Sequence, residues 1–298
     1  MKTILDDICA LKRVELESEK AAESFDSLYS RAKDTPHRAS FAAAMRRAAD
    51  GTPALIAELK KASPSAGLIR ADFEPQTLAR TLADGGASAL SVLTERNFFK
   101  GSPENLKIAA RTVSIPLLRK DFVFDEYQIC QAKVWGASAV LLIAAMLTKS
   151  QFLQLLGFAE SLGLDALCEA HTPDEIEMLL SGGAKIVGVN CRNLKNFETD
   201  FGRVAELIKL VPSDKIRVSE SAIGSRAELL KAGGFGADGA LVGHIGGDVV
   251  QTLHALRPAG QLIHGIARVL QRQGGSPPDA GGAAGDDSDL THGPSPPR

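Results

Sequence analysis

Hydrophobic positions along the chain follow two alternating periods. Short apolar runs recur at Ala54–Leu59, Ala89–Leu93, Pro116–Arg119, Ala139–Ile143, Ala166–Cys168, Ile186–Asn190, Ile216–Ser219 and Gly239–Val242. Most are apolar at nearly every position, the composition of strands buried on both faces of a parallel sheet. Between and after them lie longer stretches with apolar residues three and four apart, the spacing of helices with one buried stripe. These are Pro75–Asp84, Pro103–Thr112, Asp125–Trp135, Lys149–Leu162, Pro173–Leu180, Phe201–Leu210, Ser225–Ala232 and Gly247–Leu256. Several open near Pro, Ser or Asp and several close at Gly, as helix caps require.

Eight strands, each followed by a helix, predict an α/β fold of the (β/α)8 TIM-barrel type. A doubly wound open sheet is the alternative, but no GxGxxG turn follows the first strand. Ahead of the barrel, Ile4, Leu5, Ile8, Leu11 and Val14 are spaced as one helix reaching Lys20, and Phe41 and Met45 among alanines mark a second. The expected division is an N-terminal helical extension over residues 1–53, a barrel over 54–258 and a C-terminal extension over 259–298. From Gly274 onward Gly, Pro, Ser and Asp dominate, so disorder is expected there. Four junctions share one form: Gly85-Gly-Ala, Gly136-Ala, Gly182-Gly-Ala and Gly236-Ala. A tight helix-to-strand loop used repeatedly accounts for them without a repeat ancestry.

Composition narrows the function classes. The 298 residues are 44% hydrophobic and 23% charged, with a formal net charge of -2. That balance leaves no basic stripe to displace counterions, so a nucleic-acid partner is not expected. The longest apolar run, Ala139 to Leu147, is too short to span a bilayer, and the start Met1-Lys-Thr lacks an apolar signal core. Cys9, Cys130, Cys168 and Cys191 show neither metal-ligand spacing nor C-x-x-C. Reduced thiols in a cytoplasmic protein are expected.

Barrel active sites gather at the C-terminal ends of the strands, and here those ends are polar. The first strand ends in Glu58 and Lys60, two apart and so on one face. The third ends in Arg119-Lys120-Asp121, the fifth in Glu169-Ala-His171, the sixth in Asn190-Cys-Arg192 and the seventh in Ser219-Glu220-Ser221. One such end reads equally well as a solvated ion pair. Five on one rim shift one another's proton affinities, as acid–base chemistry needs. After the seventh and eighth strands, Ser221-Ala-Ile-Gly224 and Leu241-Val-Gly243-His-Ile-Gly246 are each expected to lead into a helix N-terminus that suits a phosphate.

These residues resemble those of the indole-3-glycerol-phosphate synthase family. The resemblance is carried by Ala57-Glu-Leu-Lys-Lys-Ala-Ser-Pro-Ser-Ala-Gly67, Ser91-Val-Leu-Thr-Glu95 with Phe99-Lys-Gly-Ser102, and Leu117-Leu-Arg-Lys-Asp-Phe122. It continues through Leu167-Cys-Glu-Ala-His171, Gly188-Val-Asn-Cys-Arg-Asn-Leu194, Thr199-Asp200 and Val218-Ser-Glu-Ser221, covering about Ile4 to Val250 in the family's order. It implies a carbon–carbon lyase of tryptophan biosynthesis. The substrate, 1-(2-carboxyphenylamino)-1-deoxyribulose 5-phosphate, loses carbon dioxide and water as an indole ring closes. By the same resemblance Lys120 is the general acid, Lys60 serves the carboxylate and a later acid step, and Glu169 takes the proton. Glu58, Asn190 and Glu220 hold the substrate hydroxyls and the lysines. Arg192 and Leu194 line the anthranilate end, and Ser63 and Ser221 belong to the substrate loops. Phe122, Ala222, Leu241, Gly243 and His244 complete the expected substrate contacts. No metal or organic cofactor is implied. The expected partner is one small phosphorylated molecule, and the expected state is a monomer that could associate with other tryptophan-pathway enzymes.

Three departures from the family pattern open a second reading: Ala222 in the phosphate loop, His244 with Gly246-Gly-Asp248 after the eighth strand, and Cys191 in place of an Asn. A left-handed backbone at Ala222 would cost about 1 kcal/mol. The alternative is a weakened or specialised paralogue serving secondary metabolism, or a non-catalytic phosphate-binding barrel. Phosphoribosylanthranilate isomerase chemistry fits poorly. It wants a Cys/Asp pair where Lys60 and Glu169 stand.

Overall fold

A computed structural model describes residues 3–190, 201–221 and 223–243. Eight parallel strands close into a barrel: β1 (Ala54–Leu59), β2 (Ala89–Leu93), β3 (Leu117–Lys120), β4 (Ala139–Ile143), β5 (Asp165–Ala170), β6 (Ile186–Asn190), β7 (Ile216–Glu220) and β8 (Gly239–Val242). Each strand pairs with its sequence neighbours, and β8 closes on β1 with Ala54 opposite Gly239. The helices are α1 (Ile4–Ala22), α2 (Phe25–Asp34), α3 (Phe41–Ala44), α4 (Pro75–Asp84), α5 (Pro103–Thr112), α6 (Glu126–Val134), α7 (Lys149–Ser161), α8 (Pro173–Ser181), α9 (Phe201–Ile208) and α10 (Arg226–Phe235).

Two apolar clusters follow from the period of two. Alternate strand residues Ile56, Leu118, Leu141, Leu167, Ile186, Val218 and Leu241 fill the barrel interior, with Phe41 and Met45 packed among them. Their neighbours Leu55, Ala57, Leu90, Leu117, Val140, Cys168 and Val187 face the helices in the second cluster. The inward positions, followed toward the C-terminal ends, arrive at Glu58, Lys120, Glu169, Asn190 and Glu220. The same alternation that packs the interior thus carries charge to the mouth.

The recurrent glycine junctions have one geometry. Gly86, Gly136, Gly183 and Gly236 take φ between 87° and 109°, and the next residue's N–H returns to the helix at 2.9–3.1 Å. That bond, from Ala87 to the Leu82 carbonyl and from Ala184 to the Leu179 carbonyl, is the six-to-one closure of a Schellman cap.

Three local expectations change. Apolar Phe25, Leu28, Tyr29 and Ala32 belong to α2, a separate helix capped by Ser24 and not expected from the sequence. The helix expected around Phe41 to Met45 is a single turn, Phe41–Ala44. After β1 the chain makes a small hairpin, Ala62–Ser63 against Gly67–Leu68. The expected helix at Gly247–Leu256 and the C-terminal extension lie outside the described residues, as do Arg192, Leu194, Ala222, His244, Cys191, Thr199-Asp200 and Gly246-Gly-Asp248. Among the described residues, no helix is long and apolar enough to cross a membrane, and Cys9, Cys130 and Cys168 are free thiols.

Side chains of α1 reach the barrel's C-terminal side. Lys12 Nζ meets Asp121 at 3.1 Å and Lys20 Nζ meets Asp125 at 2.7 Å. Tyr127 donates its hydroxyl to the carbonyls of Glu19 and Glu23. With α2 against it, α6 is buried on nearly every side, Gln128, Gln131 and Lys133 included.

Candidate active site

A cavity of about 380 Å³ opens at the C-terminal ends of the strands, within the size range of small-molecule sites. Eleven expected site residues line it: Glu58, Lys60, Ser63, Lys120, Phe122, Glu169, Asn190, Glu220, Ser221, Leu241 and Gly243. They come from six strands and the loops that follow, and strand register brings several side by side, with Asn190 opposite Glu220. The lining also includes Leu5 of α1, Pro64 to Ala66 beside the hairpin, Leu93, Phe99, Leu141, Ile143, Ile223 and Gly224. Of these, Phe99 carries a signal in its loop. Glu95, almost fully buried, accepts the N–H groups of Asn97, Phe98 and Phe99 at 2.8 Å each. That anchor fixes the loop and sets the Phe99 ring 6.1 Å from that of Phe122.

Lys120 stands at the centre. Its Nζ donates to Glu169 Oε2 at 2.9 Å and to Glu220 Oε2 at 2.8 Å. Lys60 Nζ donates to Glu58 Oε2 at 3.0 Å. Asn190 joins the parts: its Nδ2 donates to Glu169 Oε1 at 3.2 Å, and its Oδ1 accepts the Ser221 hydroxyl at 2.8 Å. Ser221 holds this bond with φ at 72°, a left-handed conformation that costs a non-glycine residue energy and commonly marks a functional loop.

Burial and charge separate the three carboxyl and amino groups. Burial disfavours charge on Lys120, but Glu169, Glu220 and Glu58 outweigh it and hold its pKa above the ordinary lysine value. Burial likewise pushes Glu169 up, yet Lys120 and His171 bring it well below the carboxylate range. At Glu220 burial wins: Lys120 opposes it, neighbouring Glu169 adds to it, and the pKa rises to about 7. Two carboxylates on one lysine are thereby driven apart, one a firm anion and the other able to carry a proton near neutrality.

Glycines make room for this arrangement. A Cβ on Gly188, an inward position of β6, would strike the Glu220 carboxylate. One on Gly243 would lie 2.8 Å from Lys60 Nζ and 3.2 Å from Glu58 Oε2. Gly188→Ala is therefore expected to displace Glu220 and cut turnover by about 100-fold, the cost of misplacing a site group by roughly an ångström. Thermal melting should confirm that the variant remains folded, and turnover near wild type would show that Glu220 need not hold this position.

The loop after β7 leads into a helix, as expected. Helix α10 begins at Arg226 with Ser225 as its cap, so Ser221 to Gly224 precede its first turn. The Gly224 N–H is already accepted by Glu228 Oε2 at 2.9 Å. Gly224 still lines the cavity, together with Ser63, Ser221 and Gly243.

Comparison with known proteins shows the family. The family profile described as Indole-3-glycerol phosphate synthase matches residues 5–248. The indole-3-glycerol phosphate synthase of Rhodopirellula baltica is 44% identical over 237 residues, 79% of this chain and 91% of that protein. The one from Chloroherpeton thalassium is 43% identical over 242 residues, 81% of this chain and 93% of its own length. Among solved structures, the N-acetylmannosamine-6-phosphate 2-epimerase of Clostridium perfringens superposes with a TM-score of 0.54 at 16% identity, covering 70% of this chain and 91% of that one. A mutant tryptophan synthase alpha-subunit from Pyrococcus furiosus gives 0.51 at 14%, covering 70% and 98%; these two share the fold alone. By profile, by identity along most of its length and by its barrel, the chain belongs to the indole-3-glycerol phosphate synthase family.

Proposed function

We propose that this cavity closes the indole ring of 1-(2-carboxyphenylamino)-1-deoxyribulose 5-phosphate, releasing carbon dioxide and water and leaving indole-3-glycerol phosphate for tryptophan synthesis. The observation that carries this reading is Lys120 Nζ held between Glu169 and Glu220 in a cavity that also holds the Lys60–Glu58 pair.

The chemistry assigns the groups. Ring closure joins the carboxylate-bearing aromatic carbon to the ribulose carbonyl carbon, whose oxygen gathers charge and takes a proton from Lys120. Lys60 binds the aromatic carboxylate until it leaves as carbon dioxide. The resulting hydroxyl takes a second proton from Lys60 and departs as water, and Glu169 accepts the proton lost from the ring carbon beside nitrogen, which completes the indole. Glu58 and Glu220 hold the two ammonium groups, and Asn190 aligns Glu169 and Ser221. The Phe99 and Phe122 rings offer an apolar wall for the aryl group. Ser63, Ser221, Gly224 and Gly243 mark the side where the phosphate lies, with the loops holding Ala222 and His244. Arg192 and Leu194 take the anthranilate end, as the resemblance implies. Residues 1–53 serve as an extension over the mouth of a barrel spanning 54–258, consistent with Leu5 in the cavity lining. The enzyme works as a cytoplasmic monomer, free to associate with other enzymes of the pathway.

Incubation of the purified chain with the carboxyphenylamino substrate should develop indole absorbance, and ligand binding without it would leave only a phosphate-binding barrel. Lys60→Ala should lower kcat/KM by about 100-fold, with a raised KM, because the aromatic carboxylate loses its cation. Unchanged KM would move the carboxylate elsewhere.

A further inference from the structure

His171, directly after β5, is given no task by any step above. Its side chain is 12% exposed and lies between two carboxylates, with Nε2 3.3 Å from Glu169 Oε1 and Nδ1 3.5 Å from Glu175 Oε2. These are ion-pair distances rather than aligned hydrogen bonds; a neutral imidazole, with one N–H, would turn a lone pair toward one of the anions, whereas the doubly protonated ring sets positive charge against both. Glu175 is fixed independently of the ring. It sits in the first turn of α8, accepts the His171 backbone N–H at 2.6 Å, and has its own backbone N–H accepted by Thr172 Oγ1. Lys120 and Glu220 are the other charged groups on the Glu169 side, and Arg203 of α9 donates to the His171 carbonyl at 3.3 Å. Burial works against charge on the ring, but Glu169 and Glu175 outweigh it and raise its pKa to about 10.

We propose that His171, as an imidazolium, is a positioning residue for Glu169: it holds Oε1 while Lys120 holds Oε2, and it remains the counter-charge when Lys120 acts. The sequence of proton movements gives this a purpose. Once Lys120 has passed its proton to the substrate carbonyl it is a neutral amine, and the cation facing Glu169 is then His171. Glu169 stays ionised and aimed until the ring proton comes to it. The inference rests on the reading of Glu169 as the base.

The acid limb of kcat against pH reports that base in the substrate complex. His171→Gln is expected to move the limb upward by about one pH unit or more, as removal of a neighbouring cation does, with about a tenfold loss of kcat at the acid end and little change in KM. Glu175→Gln, which does not touch Glu169, should move the limb the same way by less. Added to His171→Gln, it should move nothing further. Should His171→Gln not fold, the Glu175→Gln limb decides alone. An unshifted limb in folded Glu175→Gln and His171→Gln proteins overturns the inference. Glu169→Gln separates it from its premise: most turnover retained there removes the base itself and the inference with it. Near-total loss with unshifted limbs in the other variants removes His171 only.

Discussion

Lys120→Ala is expected to reduce turnover by about 100- to 10,000-fold, the usual contribution of a positioned general acid, while the barrel stays folded. The loss follows from geometry: Lys120 Nζ is the cavity ammonium shared by Glu169 and Glu220. Lys60 donates to Glu58 instead. Folding survives because the orphaned carboxylates have another way to shed charge. Glu220 already titrates near 7 with the lysine present, and without it the carboxyl takes up a proton, while Glu169 keeps His171 beside it. A carboxyl whose folded pKa lies above its unfolded value stabilises the fold below that unfolded value, and the contribution fades as pH rises through the folded one. The variant's melting temperature should therefore fall, relative to wild type, as pH rises through neutrality. Indole absorbance and a pH series of melts measure both effects. Most of the wild-type turnover surviving in Lys120→Ala would end its assignment as the acid.

The barrel was legible because its signal is repeated. Eight apolar runs with capped helices between them leave few other folds, and β1, β2, β4, β6 and β8 have the expected ends. The short helices were not. In α2, Phe25, Leu28, Tyr29 and Ala32 have helical spacing, but ten residues between a capping Ser24 and polar sequence look much like a loop. The site was legible through its exceptions: charge at inward positions of otherwise apolar strands is costly unless used. Sequence spacing could place Glu58 beside Lys60, two residues apart. It could not show that Lys120 is shared by strands 49 and 100 residues away, nor that His171 turns toward Glu169 rather than solvent. After β7, Ser225 was legible as the helix start and it caps α10, but nothing in the spacing gave the left-handed backbone at Ser221.

The largest stability effect is expected at the residue after Lys120. Asp121 is buried at the cavity's edge, and its carboxylate bonds to groups other than Lys60 and Lys120. It accepts Arg119 Nη2 at 2.9 Å, the Thr94 hydroxyl at 2.6 Å and the Phe122 N–H at 2.9 Å, and pairs with Lys12 of α1 at 3.1 Å. Burial pushes its pKa up, but Arg119 and Lys12 outweigh that and hold it below the ordinary aspartate value. Asp121→Ala leaves buried Arg119 without this anion and Lys12 with Glu15 alone at 3.2 Å, and should cost about 3–5 kcal/mol, read as a lower urea midpoint at constant slope. Lys12→Met should cost less, because Asp121 keeps Arg119, and the double variant less than the sum of the two, since they share one network. The sign with pH is fixed: a depressed folded pKa contributes stability above the unfolded value of about 3.9. That contribution disappears as pH falls through the folded pKa, so the gap between wild type and Asp121→Ala should narrow in acid. A loss under about 1 kcal/mol, or strict additivity with Lys12→Met, would mean that α1 is not tied to the β3 strand end through this carboxylate. The larger, non-additive loss would instead make Asp121 the joint through which an N-terminal helix steadies the strand that carries Lys120.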